Sequence, residues 1–153
     1  FGVAGDSSGG QIASILAHDY RDRLAFQLLV YPCVSFGADF DSYKQFRDEC
    51  FLLVPEVIEF FFRQMGENAH EHAKHLAPID YDDFSQLPKC LIIAAELDPL
   101  VDDSRFYFKK LVDNLVECKL VVLDGAIHGF FSQPLHFRQT FEKVLNEIEN
   151  FLA

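Results

Sequence analysis

The apolar residues of this chain fall alternately into short continuous runs and into helical spacings. Continuous runs are typical of strands buried on both faces of a sheet, and they predict strands at residues 1–4, 24–34, 90–95 and 119–123. Spacings of three and four predict helices at residues 8–23, 54–65 and 101–116, and a terminal helix that begins at Pro134. Strands that alternate with helices predict an α/β fold built on an open, mostly parallel sheet.

The segments between these elements are polar or contain proline and glycine. Residues 35–49 are predicted to be irregular, residues 66–89 to be loop-rich, and residues 124–133 to form a loop. The helix at 54–65 is apolar on more than one face, which fits either a place deep in the core or a place over a hydrophobic pocket. In a parallel α/β sheet the functional residues lie at the carboxyl ends of the strands, so the residues that follow each strand are the candidates for chemistry.

The first strand is followed at once by a Gly-x-Ser-x-Gly sequence with Ser7 at its centre. Between a strand and a helix this pattern predicts a tight turn that exposes the Ser7 hydroxyl to a substrate. We expect glycine at Gly5 and Gly9 because side chains there would collide where strand and helix approach each other. The helix amino terminus behind Ser7 suits the stabilisation of an oxyanion. Taken alone, the pattern also occurs in turns that have no catalytic role.

Asp98 and His128 also follow predicted strands, and with Ser7 they occur in the chain order serine, aspartate, histidine. Histidine can take the proton of a serine because its pKa lies near neutrality, and a carboxylate can orient the imidazole. Each residue alone has a simpler interpretation. Asp98 could be a turn or helix cap, and His128 could be an ordinary loop histidine.

Other acidic residues compete for the role of the orienting carboxylate. Asp102 and Asp103 lie within the predicted helix at 101–116, where a solvent-exposed face is expected. Asp124 lies four residues before the histidine in the same loop and need not face its ring. Glu96 is expected to belong to the end of a strand.

The histidines His70, His72 and His75 form a cluster with metal-ligand spacing. The stretch around them is highly polar, which favours an exposed helical or loop patch over a metal site. We therefore expect the chain to bind no metal.

The composition argues against several classes of partner. With 13 basic and 24 acidic residues the net charge is −11, which argues against nucleic acid and anionic membranes as partners. No apolar run reaches 18 residues, so no membrane span is predicted. The cysteines are scattered and predict free thiols, mostly buried, which favours a reducing compartment such as the cytoplasm; they are Cys33, Cys50, Cys90 and Cys118.

Three short sequences together resemble the signatures of the hormone-sensitive-lipase-like family of α/β-hydrolase esterases. They are Gly-Asp-Ser-Ser-Gly-Gly at residues 5–10, Glu-Leu-Asp-Pro-Leu at 96–100 and His-Gly-Phe at 128–130. The resemblance covers nearly the whole chain and implies the α/β-hydrolase fold, a three-layer αβα arrangement with a mostly parallel sheet.

The resemblance also implies a role for individual residues. By position, Ser7 is the nucleophile, Asp98 the triad acid and His128 the general base, and the backbone N–H of Ser8 is an oxyanion donor. No cofactor is implied, and the expected partner is a small-molecule ester. The last strand and the terminal helix are common pairing surfaces in this family, so a homodimer of the full-length protein is compatible with the resemblance.

The chain departs from the family pattern at two points. Ser8 stands where the family usually has alanine, a change that leaves the backbone donor intact. The His-Gly-Gly-Gly oxyanion loop of the family is absent from these 153 residues. Because the chain begins inside a strand without methionine, we expect residues 1–153 to be the carboxyl-terminal part of one catalytic domain, without the amino-terminal strands and most of the cap. We expect the isolated chain to be a weak or inactive catalyst.

These features predict a serine carboxylic-ester hydrolase that acts on short-chain acyl or aryl esters through an acyl-enzyme. The phenylalanine-rich helix at 54–65 favours an apolar pocket for such substrates. Two alternatives stay open on the same scaffold. One is a non-catalytic receptor for a small ligand, and the other is a hydrolase of amides, either a deacetylase or a serine peptidase.

Overall fold

The computed structural model of the chain describes residues 1–36, 39–64 and 73–153. The strands within these ranges are β1 (Gly2–Asp6), β2 (Phe26–Val30), β3 (Lys89–Leu97) and β4 (Cys118–Ile127). The helices are α1 (Ser8–Asp19), α2 (Asp41–Gln45), α3 (Pro55–Gln64), α4 (Ala73–Leu76), α5 (Val101–Asp113) and α6 (Arg138–Leu152). Single 3₁₀ turns occupy Glu49–Phe51, Pro78–Asp80 and Phe130–Ser132.

The four strands form one sheet in the order β1-β2-β3-β4, and each neighbouring pair is parallel. Asp6 at the end of β1 lies beside Val30 at the end of β2, and Val30 lies beside Ile93 of β3. Because all strands run the same way, the residues that follow them gather at one edge of the sheet. This edge is where the candidate residues for chemistry meet.

Neighbouring residues of β2 point to opposite faces of the sheet and into two separate cores. Leu29 packs in a core that also contains Ala13 of α1 and Leu111 of α5. Leu28 packs in a second core with Val144 of α6. Helices α1 and α5 therefore cover one face and α6 covers the other, which confirms the predicted three-layer α/β fold.

The long apolar run in β3 is explained by burial on both faces. Residues 90–95 of this strand are all 0% exposed. A strand between two neighbours and two helical layers needs no polar face, so its sequence shows no alternation. Burial of apolar surface at about 25 cal/mol per Å² makes this strand a main source of stability.

All four predicted strands and all four predicted helices are present, although their ends differ by a few residues. The terminal helix begins at Arg138 and not at Pro134, which corrects that prediction. The N–H groups of His136 and Phe137 both donate to the carbonyl of Gln133, at 3.0 and 3.1 Å, and this turn delays the helix. Met65, the last residue of the helix predicted at 54–65, lies outside the described residues.

Two short helices, α2 and α4, occur where the sequence predicts irregular or loop structure. The five residues of α2 carry no apolar stripe, but the N–H of Ser42 donates to Asp102 of α5 at 3.0 Å. The hydroxyl of Ser42 donates to the carbonyl of Pro99 at 2.6 Å. A helix of this length depends on such tertiary contacts, because short helices are not stable by themselves. None of the helices in the described ranges is long and apolar enough to cross a membrane.

Candidate active site

Ser7 forms a strained turn between β1 and α1. Its backbone has φ 53° and ψ −121°, a conformation that residues other than glycine rarely adopt. The surroundings hold it there: Ser7 donates from N to the carbonyl of Val30 at 2.9 Å, and its own carbonyl accepts from the N–H groups of Gln11 at 3.1 Å and Cys33 at 3.3 Å. The turn therefore places the half-buried side chain of Ser7 at the carboxyl end of the sheet.

The glycines of this turn have different reasons for being glycine. A Cβ at Gly5 would lie 2.2 Å from the carbonyl oxygen of Gly9, a distance that real side chains never show. A Cβ at Gly10 would lie 2.8 Å from Cβ of Pro32. At Gly9 the nearest atom would be Oδ1 of Asp6 at 3.8 Å, an ordinary contact. The prediction is therefore correct for Gly5 and wrong for Gly9, and Gly10 is the second close approach.

The structure brings the three predicted residues into one hydrogen-bonded row. The hydroxyl Oγ of Ser7 lies 2.9 Å from Nε2 of His128, and Nδ1 of His128 lies 2.7 Å from Oδ2 of Asp98. Asp98 is 0% exposed and His128 is 9% exposed, so water competes little for these contacts. The carboxylate can fix the imidazole so that Nε2 faces the serine hydroxyl.

Asp98 has a second, structural role at the start of α5. Its Oδ1 accepts from the N–H of Leu100 at 2.9 Å, and its carbonyl accepts from the N–H of Val101 at 3.0 Å. The turn predicted as the simpler interpretation is thus present together with the contact to the histidine. The two carboxylate oxygens divide these functions, because one binds the turn and the other binds the imidazole.

An irregularity at the end of β4 brings His128 to the row. The pairing of β3 with β4 shifts between Ala95 and Leu97, so that β4 uses extra residues before Ile127. Gly125 in this bulge has φ 67°, which favours glycine. Oε2 of Glu96, at the end of β3 as expected, accepts from the N–H of Gly125 at 2.7 Å. Bulges of this kind redirect side chains next to active sites.

A cavity of about 450 Å³ opens beside the row. Helix α3 supplies much of its apolar wall, because Ile58, Phe61 and Phe62 line it. Ile58 is buried against Cys33 and Leu100. Of the two positions that the sequence leaves open for this helix, the pocket wall is therefore the one that the structure supports. The full lining is Ser7, Ser8, Gln11, Cys33, Leu53, Ile58, Phe61, Phe62, Leu100 and His128.

Ser8 is the first residue of α1 and also lines the cavity. The N–H groups in the first turn of a helix have no partner within the helix, and the helix dipole makes this end partly positive. The backbone of Ser8 can therefore donate to a negative oxygen beside Ser7. Its role as an oxyanion donor stays a prediction.

Asp103 is a residue that sequence reasoning missed, because a solvent-exposed face was expected for it and that expectation is wrong. It is 0% exposed. Its Oδ1 accepts from the N–H groups of Val34 and Ser35 at 3.1 and 2.9 Å and from the Ser35 hydroxyl at 2.7 Å. The hydroxyl of Tyr43 donates to Oδ2 at 3.2 Å. Asp103 thus holds the segment after β2 that carries Cys33 along the cavity.

Burial raises the pKa of Asp103 from 3.8 to about 7, and its hydrogen bonds oppose this rise. The neighbouring Asp102 is less buried and binds the N–H of Ser42 and the guanidinium of Arg105. No local signal separates these two adjacent aspartates. Their difference comes from the loop that packs against one of them.

The remaining candidates take no part in the row. Asp124 is exposed, whereas Asp98 reaches the imidazole. Of the histidine cluster, His70 and His72 lie outside the described residues. Among the residues that the structure describes, no group of three or more histidine, cysteine or acidic side chains could hold a metal ion.

Comparisons with known proteins find similar sequences and similar folds. A family model described as alpha/beta hydrolase fold matches residues 1–132. The chain is 34% identical over 142 residues to the carboxylesterase NlhH of Mycobacterium tuberculosis. This alignment covers 87% of the chain and 44% of that protein. The chain is 27% identical over 139 residues to an arylesterase of Saccharolobus solfataricus, which covers 88% of the chain and 45% of that protein.

A solved structure of an esterase from Pyrobaculum calidifontis superposes on the chain with a TM-score of 0.86 and 31% sequence identity. The superposition covers 99% of the chain and 52% of that structure. The chain therefore spans about half the length of the proteins that it matches.

Proposed function

The chain belongs to the hormone-sensitive-lipase-like family of α/β-hydrolase esterases, and from this premise we propose that the whole protein hydrolyses carboxylic esters with Ser7 as the nucleophile. In this proposal His128 is the general base and Asp98 is the triad acid. The observation that carries it is the row Ser7 Oγ, His128 Nε2, His128 Nδ1 and Asp98 Oδ2, with contacts of 2.9 and 2.7 Å, at the mouth of an apolar cavity.

The first half of the reaction forms an acyl-enzyme. His128 Nε2 takes the proton from Ser7 Oγ while that oxygen attacks the ester carbonyl, and the tetrahedral oxyanion accepts from the N–H of Ser8. The intermediate collapses, the bond to the alcohol oxygen breaks, and the imidazolium gives its proton to the leaving alcohol. Asp98 stabilises the positive imidazolium throughout.

The second half releases the acid. A water molecule gives a proton to His128 Nε2 and attacks the acyl carbonyl, and a second tetrahedral intermediate forms. Its collapse breaks the bond to Ser7 Oγ, which regains a proton from the imidazolium. Nε2 of His128 accepts and later returns each proton that the reaction moves, so the proposed reaction needs no cofactor.

The cavity supports small apolar esters as the substrate class. Five of its ten lining residues are leucine, isoleucine or phenylalanine, and its volume of about 450 Å³ lies in the range of small-molecule sites. Short-chain acyl esters and aryl esters fit this volume and polarity. The same row can attack amides, and comparison of matched ester and amide substrates distinguishes the two.

The 153 residues alone should be a weak catalyst. The proposal assigns one oxyanion donor to this chain, the N–H of Ser8, and the His-Gly-Gly-Gly sequence of the family is absent from these 153 residues. Loss of one such donor costs about 10² to 10³ in rate. Strong turnover by the isolated chain would contradict this expectation.

The proposal is tested by the hydrolysis of p-nitrophenyl acetate and p-nitrophenyl octanoate by the whole protein. Ser7→Ala should abolish turnover, and an organophosphonate should label Ser7 in the unchanged protein. Ser8→Ala is the matched control, because it removes the neighbouring hydroxyl but keeps the backbone N–H, and it should stay active. Turnover that survives Ser7→Ala refutes the proposal. A folded protein that neither hydrolyses these esters nor reacts with the phosphonate also refutes it and favours the receptor alternative.

A further inference from the structure

Asp6, the residue before the nucleophile, has a carboxylate that the reaction above does not use. Its Oδ2 accepts from the hydroxyl of Tyr31 at 3.2 Å and from the hydroxyl of Ser132 at 3.2 Å. Asp6 ends β1, Tyr31 follows β2, and Ser132 lies in the turn after His128. One carboxylate thus connects the segments that carry the serine and the histidine.

Tyr31 packs directly against the histidine of the row. Its ring centroid lies 4.6 Å from that of His128, and Phe130 packs edge-on against it at 5.3 Å. Tyr31 is 1% exposed, and its backbone has φ 36°, a strained value for a residue with a side chain. Its N–H donates to the carbonyl of Ile93 at 2.6 Å, which helps to hold this conformation. The buried ring of Tyr31 therefore forms one side of the space that holds the His128 imidazole, and we call this side the Tyr31 wall.

The hydroxyl of a buried tyrosine needs an acceptor, and Asp6 provides it. Burial and the negative charge of Asp6 raise the pKa of Tyr31 well above its ordinary value. The hydroxyl of Tyr31 therefore keeps its proton and donates a hydrogen bond to the Asp6 carboxylate. The orientation of the ring is fixed at one end by this bond and at the other by the backbone.

We infer that Asp6, Tyr31 and Ser132 form a positioning network that holds the His128 ring when Ser7 does not. The inference rests on the proposed function. In the free enzyme the imidazole is held at both nitrogens, by Ser7 and by Asp98. In the acyl-enzyme the oxygen of Ser7 carries the acyl group and has no proton to share. The ring is then held by Asp98 alone, and the Tyr31 wall limits its tilt while water is activated.

This reasoning predicts that loss of the network slows deacylation more than acylation. With p-nitrophenyl acetate, kcat reports deacylation where that step is slow, and kcat/KM reports acylation. Asp6→Ala and Tyr31→Phe should each lower kcat about five- to tenfold, in line with the loss of one hydrogen bond. KM should fall in step, so that kcat/KM changes less than about twofold, and a burst of p-nitrophenol should grow. The double variant should be no slower than the slower single variant, since both changes break one network.

Tyr107→Phe provides the matched control. Tyr107 is 0% exposed, its hydroxyl lies 3.2 Å from Nε2 of His18, and it packs in the core on the other face of the sheet from Tyr31. The Tyr107→Phe substitution removes the same kind of buried hydroxyl contact, so it should lower stability without changing kcat or KM. Titration of active Ser7 by a phosphonate corrects each rate for the folded fraction, which removes effects of stability alone.

The outcomes separate this role from the proposed function. If Ser7 of the unchanged protein does not react with the phosphonate, both the network and the esterase proposal are overturned. An active protein whose Tyr31→Phe and Asp6→Ala variants match Tyr107→Phe overturns the network and leaves the esterase proposal standing. Equal losses in kcat and kcat/KM, with KM unchanged, also overturn it, because they indicate damage without a specific effect on deacylation. If Asp6→Ala fails to fold, Tyr31→Phe decides alone.

Discussion

Gly5→Ala is predicted to break the junction of β1 and α1 that carries Ser7. The added Cβ would lie 2.2 Å from the oxygen and 2.3 Å from the carbon of the Gly9 carbonyl, and 2.8 Å from N of Gly10. All three are backbone atoms, so no side chain can rotate away to make room. The helix must move from the strand by about 1 Å before ordinary contact is restored.

The magnitude follows from overpacking. Insertion of a methyl group into a close-packed site usually costs about 1–3 kcal/mol, and a clash with rigid backbone belongs at the upper end. We expect Gly5→Ala to lower the free energy of unfolding by about 3 kcal/mol. Movement of the helix also displaces Ser7, and a misplacement of about 1 Å can cost about 100-fold in rate.

Gly9→Ala is the matched control in the same motif. Its Cβ would meet nothing closer than Oδ1 of Asp6 at 3.8 Å, and residue 9 lies within α1. Alanine favours the helix more than glycine does, so this change should be neutral or stabilising by up to about 1 kcal/mol.

Urea denaturation followed by circular dichroism measures the stability of both variants, and the rate of Ser7 labelling by a phosphonate measures the geometry of the turn. Gly5→Ala should unfold at a lower urea concentration and label slowly, whereas Gly9→Ala should behave like the unchanged protein. Equal effects of the two substitutions on stability and on labelling would refute the argument from backbone contact.

Three further predictions follow from buried groups and from the cavity. Burial raises the pKa of Asp103 from 3.8 to about 7, so the folded protein holds a proton there that the unfolded chain releases; this group contributes stability that is lost as pH rises from about 4 to about 7, and the urea midpoint of the unchanged protein should fall relative to that of Asp103→Asn across this window. Burial, with a smaller effect of Arg21, lowers the pKa of His18 from 6.5 to about 4, so this group acts in the opposite direction and contributes stability that is lost as pH falls through that window; a stability difference between the unchanged protein and His18→Gln that stays constant with pH would contradict this. Phe62 lines the cavity, and Phe62→Ala should raise the rate on octanoate relative to acetate, whereas the exposed Phe60→Ala should leave that ratio unchanged.

The strands and the main helices could be predicted from the sequence because burial leaves a direct record in residue type. A strand covered on both faces, such as β3, is apolar throughout, and helices α1 and α5 show helical spacing because one face packs on the sheet. Element ends were less well predicted. Pro134 fits the start of a helix, but the turn that closes on Gln133 moves the start to Arg138.

Asp103 shows where local patterns fail. Asp102 and Asp103 are adjacent, chemically identical and both in the first turn of α5, yet only Asp103 is fully buried. The difference depends on the partners Val34, Ser35 and Tyr43, which lie some 60 to 70 residues away along the chain. A sequence window around an aspartate contains no information on a loop that reaches it through the tertiary fold.

The sequence by itself determined the order of elements, the strand–turn–helix around Ser7, and the order serine, aspartate, histidine. These are properties of neighbours along the chain, or of motifs whose residues are consecutive. The tertiary structure alone decided that Ser7 and His128, 121 residues apart, lie 2.9 Å from each other. It also decided that Tyr31 packs on the imidazole. Distances between separate strands are set by sheet register and by the bulge in β4, and these depend on packing between elements that no local pattern records.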